Sequence, residues 1–298
     1  MSIINDIRTA FSRRDNALNQ LLLINVLVFA GLMLFGAIRF LSSGGPIDTF
    51  RPVLAWLAVP SEPSRLLTRP WTLLTYSLVH IAPLHILFNL LNLYWFGALV
   101  REYLGNRKLV SLYVLGALAG AVLYLLAYNL LPRFQSQYAI LYGASASVTA
   151  IIVGGATLLP NYTFNVIFIG PVRIKYIAAV VVLMSIVGIN GGNVGGDIAH
   201  LGGAILGFVF IKQLQAGRDL GRPVQAVGDW IDNLLHGRPN LRVTHRDRPA
   251  ATPAKGKSGG LVNPMQEEID VILDKISRSG YESLSKEEKQ KLFRASQK

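Results

Sequence analysis

The sequence predicts an all-α fold: a polytopic membrane bundle of six transmembrane helices, followed by a small cytoplasmic helical tail. Three observations carry this reading. Of 298 residues, 51% are hydrophobic and only 15% charged, whereas a soluble domain carries about 25% charged residues. The mean hydropathy is +0.40. Charge also gathers in the first 18 residues and after residue 215, while apolar runs fill most of 19–215. The expected segments are a cytoplasmic N-terminal stretch at 1–18, a membrane domain at 19–215, a basic flexible linker at 216–264 with room for an interfacial helix, and a helical hairpin at 265–298.

Six spans follow from the apolar runs: roughly Gln20–Phe40, Leu84–Tyr103, Leu109–Leu131, Ser145–Leu159, Ile174–Ile189 and Ile198–Leu214. A span needs ~20 apolar residues, so the fourth is short. The first run is long enough to cross and lacks a small-residue cleavage pattern behind it, so it reads as a retained helix and not a signal peptide.

The net charge of +12 raises the question of nucleic acid. The positions of the basic residues argue against that partner. Arg8, Arg13 and Arg14 precede the first span, Arg101, Arg107 and Lys108 separate the second from the third, and Arg173 and Lys175 separate the fourth from the fifth. Lys212, Arg218 and Arg222 follow the sixth. All fall on one side, which the positive-inside bias makes cytoplasmic, with both termini there. The sequence holds no cysteine, so thiolate metal sites and cysteine nucleophiles are excluded. No cofactor or metal is expected.

With this topology the second, fourth and sixth spans all enter from the external face. His85 and Asn89 lie near the start of the second, Ser145 at the start of the fourth, and His200 at the start of the sixth. Four polar groups, distant in sequence, then share one depth below one surface. Ionisable groups inside a membrane segment are functional-site candidates, and a serine with a histidine supplies a nucleophile and a base. Small residues at spacing four, Ala146/Ala150/Gly154 and Ala199/Gly203/Gly207, predict close approach of the fourth and sixth helices. Pro83 suits the first turn of the second helix. The external loop at about 41–83 is too long for a plain connection, and its Trp56 and Trp71 suit the bilayer interface.

These residues resemble the motifs of the rhomboid intramembrane serine proteases over roughly residues 20–215. Gly143-Ala144-Ser145-Ala146 is similar to the family's Gly-x-Ser-x motif. Ala199-His200-x-x-Gly203-x-x-x-Gly207 is similar to its last-helix signature. His85-Ile86-Leu87-Phe88-Asn89 is similar to its His-x-x-x-Asn motif, and His80 matches a common family histidine. There are departures. Many members have glycine where this chain has Ala146. Many have a tyrosine stacked on the catalytic imidazole where this chain has Thr149. The adjacent Trp-Arg of many first loops is replaced by Arg69, Pro70 and Trp71.

The resemblance implies peptide hydrolysis within the membrane by a Ser145–His200 dyad acting on transmembrane protein substrates arriving from the lipid bilayer. It implies an oxyanion site from His85, Asn89 and the Ser145 backbone N–H, with Gly143, Gly203 and Gly207 as packing support. Ser147 reads as a packing hydroxyl, His80 as a tie for the external loop, and Asp197 as a cap of the last helix. The polar Asn190–Asp197 loop suits a wet cavity on that face. A silent relative that binds membrane clients is the alternative; it usually lacks the serine or the histidine. A transporter would show internal repeats with interrupted helices, which this chain lacks. The plain six-span plan favours a bacterial plasma membrane.

In the tail, 227–235 predicts a short amphipathic helix at the membrane surface. Residues 237–264 are rich in Arg, Pro, Gly and Ser, suited to anionic lipid. Ile269, Ile272, Leu273 and Ile276 mark a helix face that stops at Gly280. Ser285-x-x-Glu288 is a capping-box pattern. The tail's partner is unassigned, and His236 and His245 read as solvated.

Overall fold

The computed structural model describes residues 16–43, 49–135, 137–166, 169–236 and 264–295. Arg8, Arg13, Arg14, His245 and most of the basic linker lie outside the described residues, as do the side chains of His236 and Phe293. The chain divides into two units, Met1–Pro239 and Asn240–Lys298.

The first unit opens with α1 (Ala17–Ser43). The loop that follows folds into α2 (Arg51–Leu57), strand β1 (Val59–Pro60), α3 (Pro63–Thr68), α4 (Thr72–Thr75) and a 3₁₀ turn at Tyr76–Leu78. Prolines in the first turns of α2 and α3 pre-set the helical φ where an N–H has no partner anyway. Next come α5 (Pro83–Leu104), α6 (Asn106–Leu130), β2 (Ile140–Leu141) and α7 (Ser145–Leu158). The hairpin β3 (Thr163–Val166) and β4 (Gly170–Arg173) leads into α8 (Ile174–Gly188), α9 (Val194–Gln215) and α10 (Arg222–His236).

The body is helical where the hydropathy predicts it, with two small antiparallel ribbons added. One pairs Val59 with Leu141 and Pro60 with Ile140. The other pairs Thr163 with Arg173 through Val166 with Gly170. Among the described residues four helices, α1, α5, α6 and α9, are long and apolar enough to cross a bilayer. The apolar α7 and α8 are shorter, at 14 and 15 residues, or about 21–23 Å against a ~30 Å hydrocarbon core. For α7 the reason is its position: ten of its residues are buried by protein, so neighbours and not lipid satisfy its ends. The exterior of the bundle is apolar, with Leu41, Leu84, Met184 and Ile205 exposed on four different helices.

After α9 the chain folds back on its own helix ends. Lys108 pairs with Asp219, and Arg107 with Asp229 at 2.9 Å. Gln225 reaches both Ser111 and Asp219 at 3.4 Å. These bonds hold α10 with Val227, Trp230, Ile231 and Leu234 exposed. The second unit consists of α11 (Pro264–Ser279), a 3₁₀ turn at Tyr281–Ser283 and α12 (Lys286–Ala295). Its capping box closes reciprocally: the Ser285 N–H donates to the Glu288 carboxylate at 2.7 Å and the Glu288 N–H to the Ser285 hydroxyl at 3.2 Å. Lys275–Glu288 and Lys291–Glu268, both 2.9 Å, clasp the two helices.

The closest packing in the bundle is between α7 and α9. A Cβ on Gly203 would fall 2.1 Å from the Ala146 carbonyl oxygen, and one on Gly207 would fall 2.3 Å from that of Ala150. On α6, Gly120 lies where a Cβ would meet Ala146 Cβ at 2.5 Å and the Ala199 carbonyl oxygen at 3.0 Å. Small side chains thus let three backbones meet at one level.

The loop between α1 and α5 is tied to the turn before α7 at three points. The β1–β2 ribbon is one. The Gly143 N–H donates to the Tyr76 carbonyl at 2.9 Å. The Ala144 N–H donates to Nε2 of His80 at 3.3 Å. His80 is fully buried. Burial first, and the nearby His85 ring second, pull its pKa from 6.5 down to about 4, against an opposing hydrogen bond to the Leu78 backbone.

Two outcomes are expected. Gly207→Ala must push apart two helix backbones, and should cost about 1–3 kcal/mol of stability. Gly31→Ala, with open space around it, should stay within about 0.5 kcal/mol of wild type. Thermal unfolding in detergent measures both. For His80 the native state resists protonation that the unfolded state accepts. Its contribution is therefore complete above pH 6.5 and is lost as pH falls to about 4. That loss is on the order of 3 kcal/mol, at 1.36 kcal/mol per pKa unit. His80→Gln keeps an acceptor for Ala144 and should flatten the decline of the unfolding midpoint across that window.

Candidate functional site

Ser145 is the first residue of α7. The turn before it is set by Gly143, whose φ is +119°, a region that L side chains avoid. Space adds a second requirement: a Cβ on Gly143 would lie 2.7 Å from Cε1 of His85, so the imidazole rests directly on the glycine. The first intrahelical bond of α7 runs from the Val148 N–H to the Ala144 carbonyl. The N–H groups of Ser145, Ala146 and Ser147 therefore stand outside the helical ladder, at its positive end.

His85 and Asn89 occupy successive turns of α5. The Asn89 amide donates one N–H to the His85 carbonyl at 2.9 Å, leaving its second N–H for another acceptor. The rings of His80 and His85 meet edge to face, with centroids 5.0 Å apart. Asn89 is buried, while Ser145 and His200 are partly open.

These side chains line one open cleft of about 620 Å³. Its walls are His85, Phe88 and Asn89 from α5, Ser145 and Thr149 from α7, Met184 and Ser185 from α8, and Asp197 and His200 from α9. Ser145 and His200 are brought to one wall by their neighbours. Ala146 and Ala199, each adjacent in sequence to one of them, converge on Gly120. All four polar residues expected at one depth thus face one cavity. Gly203 and Gly207 lie behind it, between α9 and α7. Ser147 points away; its hydroxyl is fully buried and has no partner among the described residues.

Asp197 differs from its reading as a helix cap. Helix α9 begins four residues earlier than expected, at Val194, with Asn193 at the cap position. Asp197 therefore lies inside the first turn, with its carboxylate 3.8 Å from Nδ1 of His200. The polar loop shrinks to 189–193, because Gly195 and Gly196 fit helical turns against Tyr124 and Asn193, where a Cβ would clash. Sequence reasoning missed Ser185 altogether. Its hydroxyl lies 3.2 Å from Nδ1 of His200. The only available signal was one hydroxyl within a long apolar run. Thr149 donates its hydroxyl to the Ser145 carbonyl at 2.8 Å. Among the described residues no cluster of His, Asp and Glu is arranged to hold a metal.

The two tryptophans of the loop between α1 and α5 form a separate feature. Trp56 and Trp71 stack with planes 2° apart and centroids at 6.0 Å. The Trp71 indole N–H donates to the Trp56 carbonyl at 2.8 Å. Arg69 lies over the Trp56 ring at 4.2 Å and donates to the Ala55 carbonyl. Arg69 thus reaches the tryptophan pair without being adjacent to Trp71 in sequence.

Comparison with known proteins agrees with this architecture. The Rhomboid domain matches residues 67–215, and a family of unknown function, DUF6576, matches 263–298. The chain is 33% identical over 159 residues to RHOMBOID-like protein 12, mitochondrial, of Arabidopsis thaliana, covering 49% of this chain and 47% of that protein. It is 40% identical over 68 residues to Rhomboid protease GlpG of two Klebsiella pneumoniae strains, covering 23% of this chain and 24% of theirs. The chain thus spans about half or less of the curated relatives it matches. The family match takes in α5 through α9, with the whole cleft and three of the four long apolar helices, and this chain is accordingly a multi-pass membrane protein of the rhomboid family.

Proposed function

We propose that this chain is an intramembrane serine endopeptidase that cleaves transmembrane segments of other proteins. The observation that carries this reading is the shared cleft, in which a hydroxyl, two imidazoles, a carboxamide and a free helix N-terminus converge. In this reading His200 takes the proton of Ser145, whose hydroxyl is a weak nucleophile alone. The serine oxygen attacks the scissile carbonyl, and the C–N bond breaks as His200 returns the proton to the leaving amine. Water then hydrolyses the acyl-serine by the same proton relay. Asn89, His85 and the Ser145 N–H receive the negative oxygen of each tetrahedral intermediate. Gly203 and Gly207 keep α7 and α9 close enough for the transfer, and Gly143 sets the turn that presents Ser145.

The bound segment must leave helical geometry, because a helical carbonyl is already hydrogen-bonded. In this reading six helices cross or enter the bilayer, with the cleft near the external face and both termini cytoplasmic. Arg101, Arg107, Lys108, Arg173 and Lys175 on the opposite side support that orientation, and the membrane is a bacterial plasma membrane.

Reconstitution with a model transmembrane substrate tests the proposal. Ser145→Ala and His200→Ala should each lower cleavage by more than about 10³-fold while staying folded. Asn89→Ala should cost about 10²–10³-fold, and Ser147→Ala should remain near wild type. A fluorophosphonate should label wild type at Ser145. Binding of the segment with no cleavage by wild type would replace this reading with that of a silent client-binding relative.

A further inference from the structure

We propose that Ser185, on α8, is a positioning residue for His200: it fixes the imidazole as the Nδ1–H tautomer, with Asp197 as a second holder of the same nitrogen. The inference rests on the dyad reading for its catalytic meaning, and on hydrogen-bond geometry for its substance.

A serine hydroxyl has one proton to donate and lone pairs to accept with. The Ser185 hydroxyl lies 2.9 Å from the Val181 carbonyl, one turn back on its own helix, and 3.2 Å from Nδ1 of His200. A carbonyl can only accept, and we assign the hydroxyl proton to Val181 because that contact is the shorter of the two. On that assignment the same oxygen accepts from His200, and Nδ1 carries the proton. In a neutral imidazole that leaves Nε2 with the free lone pair, the form a base needs. The tautomer of a histidine is commonly set by the partner of its other nitrogen; here the partner comes from a different helix.

Two further features point the same way. Among the described residues no aromatic ring stacks on His200, and Thr149, which also lines the cleft, bonds to the Ser145 carbonyl. The ring must be held from its Nδ1 edge. The Asp197 carboxylate is 3.8 Å from that nitrogen. It is lodged against Gly188, where a Cβ would fall 2.5 Å from the carboxylate. Ser185 is also the only buried residue in the outer half of α8; the others are Ile174 and Ala178. The seating of this otherwise exposed helix end and the readiness of the base are therefore one arrangement. The other titratable side chain facing the cleft is His85 from α5, and α7 and α8 contribute none.

The test compares Ser185→Thr and Ser185→Val, which match in shape and differ in the hydroxyl, in the reconstituted full chain. Ser185→Val should lower kcat about 10–100-fold, the size of one lost hydrogen bond to a group that becomes charged, with KM nearly unchanged. The acidic limb of kcat/KM should move to lower pH as the base weakens, and Ser185→Thr should restore both. Equal behaviour of Thr and Val, or a loss confined to KM, overturns the proposal. Nitrogen-15 NMR of labelled histidine, with His200 assigned by subtraction of His200→Gln, gives a readout independent of cleavage. A protonated Nδ1 in wild type and Ser185→Thr, lost in Ser185→Val, supports the assignment. A protonated Nε2 in wild type, or one tautomer in all three, overturns it. If wild type proves unable to cleave, the dyad reading fails, while the NMR comparison still decides the role of Ser185.

Discussion

The approach of α7 to α9 is the constraint on which the site depends. Gly203 and Gly207 lie against the carbonyls of Ala146 and Ala150 with no room for a methyl group. In lipid there is no hydrophobic force between helices, so contact must come from close packing and backbone proximity. That contact fixes the separation of the turn holding Ser145 from the turn holding His200. A larger residue at any of these positions would widen the gap between Ser145 and His200, whatever else it did to stability.

The loop above the site acts as a clamp and not as a mere connection. Residue by residue it would be an awkward segment: short helices, a two-residue strand and two exposed tryptophans. It is fixed because the turn before Ser145 supplies its partners, through β2, the Gly143 N–H and the Ala144 N–H. The same turn is held from α5 by the His85 ring resting on Gly143. The geometry at the start of α7 is thus specified from two sides. Such a site can hold donors in place before a ligand arrives, which is what electrostatic stabilisation of a developing charge requires.

α8 is different in kind. Most of its surface is exposed, and Ser185 is the one buried side chain in its second half. An element with so few buried contacts is drawn from the low-stability end of a structure. It also carries a hydroxyl within 3.2 Å of His200, which links a lightly buried helix to a side chain of the cleft. The rest of the cleft wall is built on α5, α7 and α9, which are packed on several sides.

Much of this was legible in the sequence for a simple reason. Lipid imposes one requirement, apolar length, and the positions of Arg and Lys impose another, so helices and their order follow from composition along the chain. Gly143, Ser145 and His200 stood out because glycine, a hydroxyl and an imidazole are conspicuous in hydrocarbon. Gly203 and Gly207 stood out through their spacing of four. Tertiary contact decided the rest. The length of α7 does not predict its burial, which comes from its neighbours. Asp197 read as a cap until the helix start moved to Val194, a shift set by the fit of Gly195 and Gly196 against side chains elsewhere. Ser185 offered only a hydroxyl in an apolar run, a weak signal because a lone serine in such a helix bonds to its own backbone by default. Only the fold brings a second partner within reach, since periodicity records which face a residue occupies and not what that face meets.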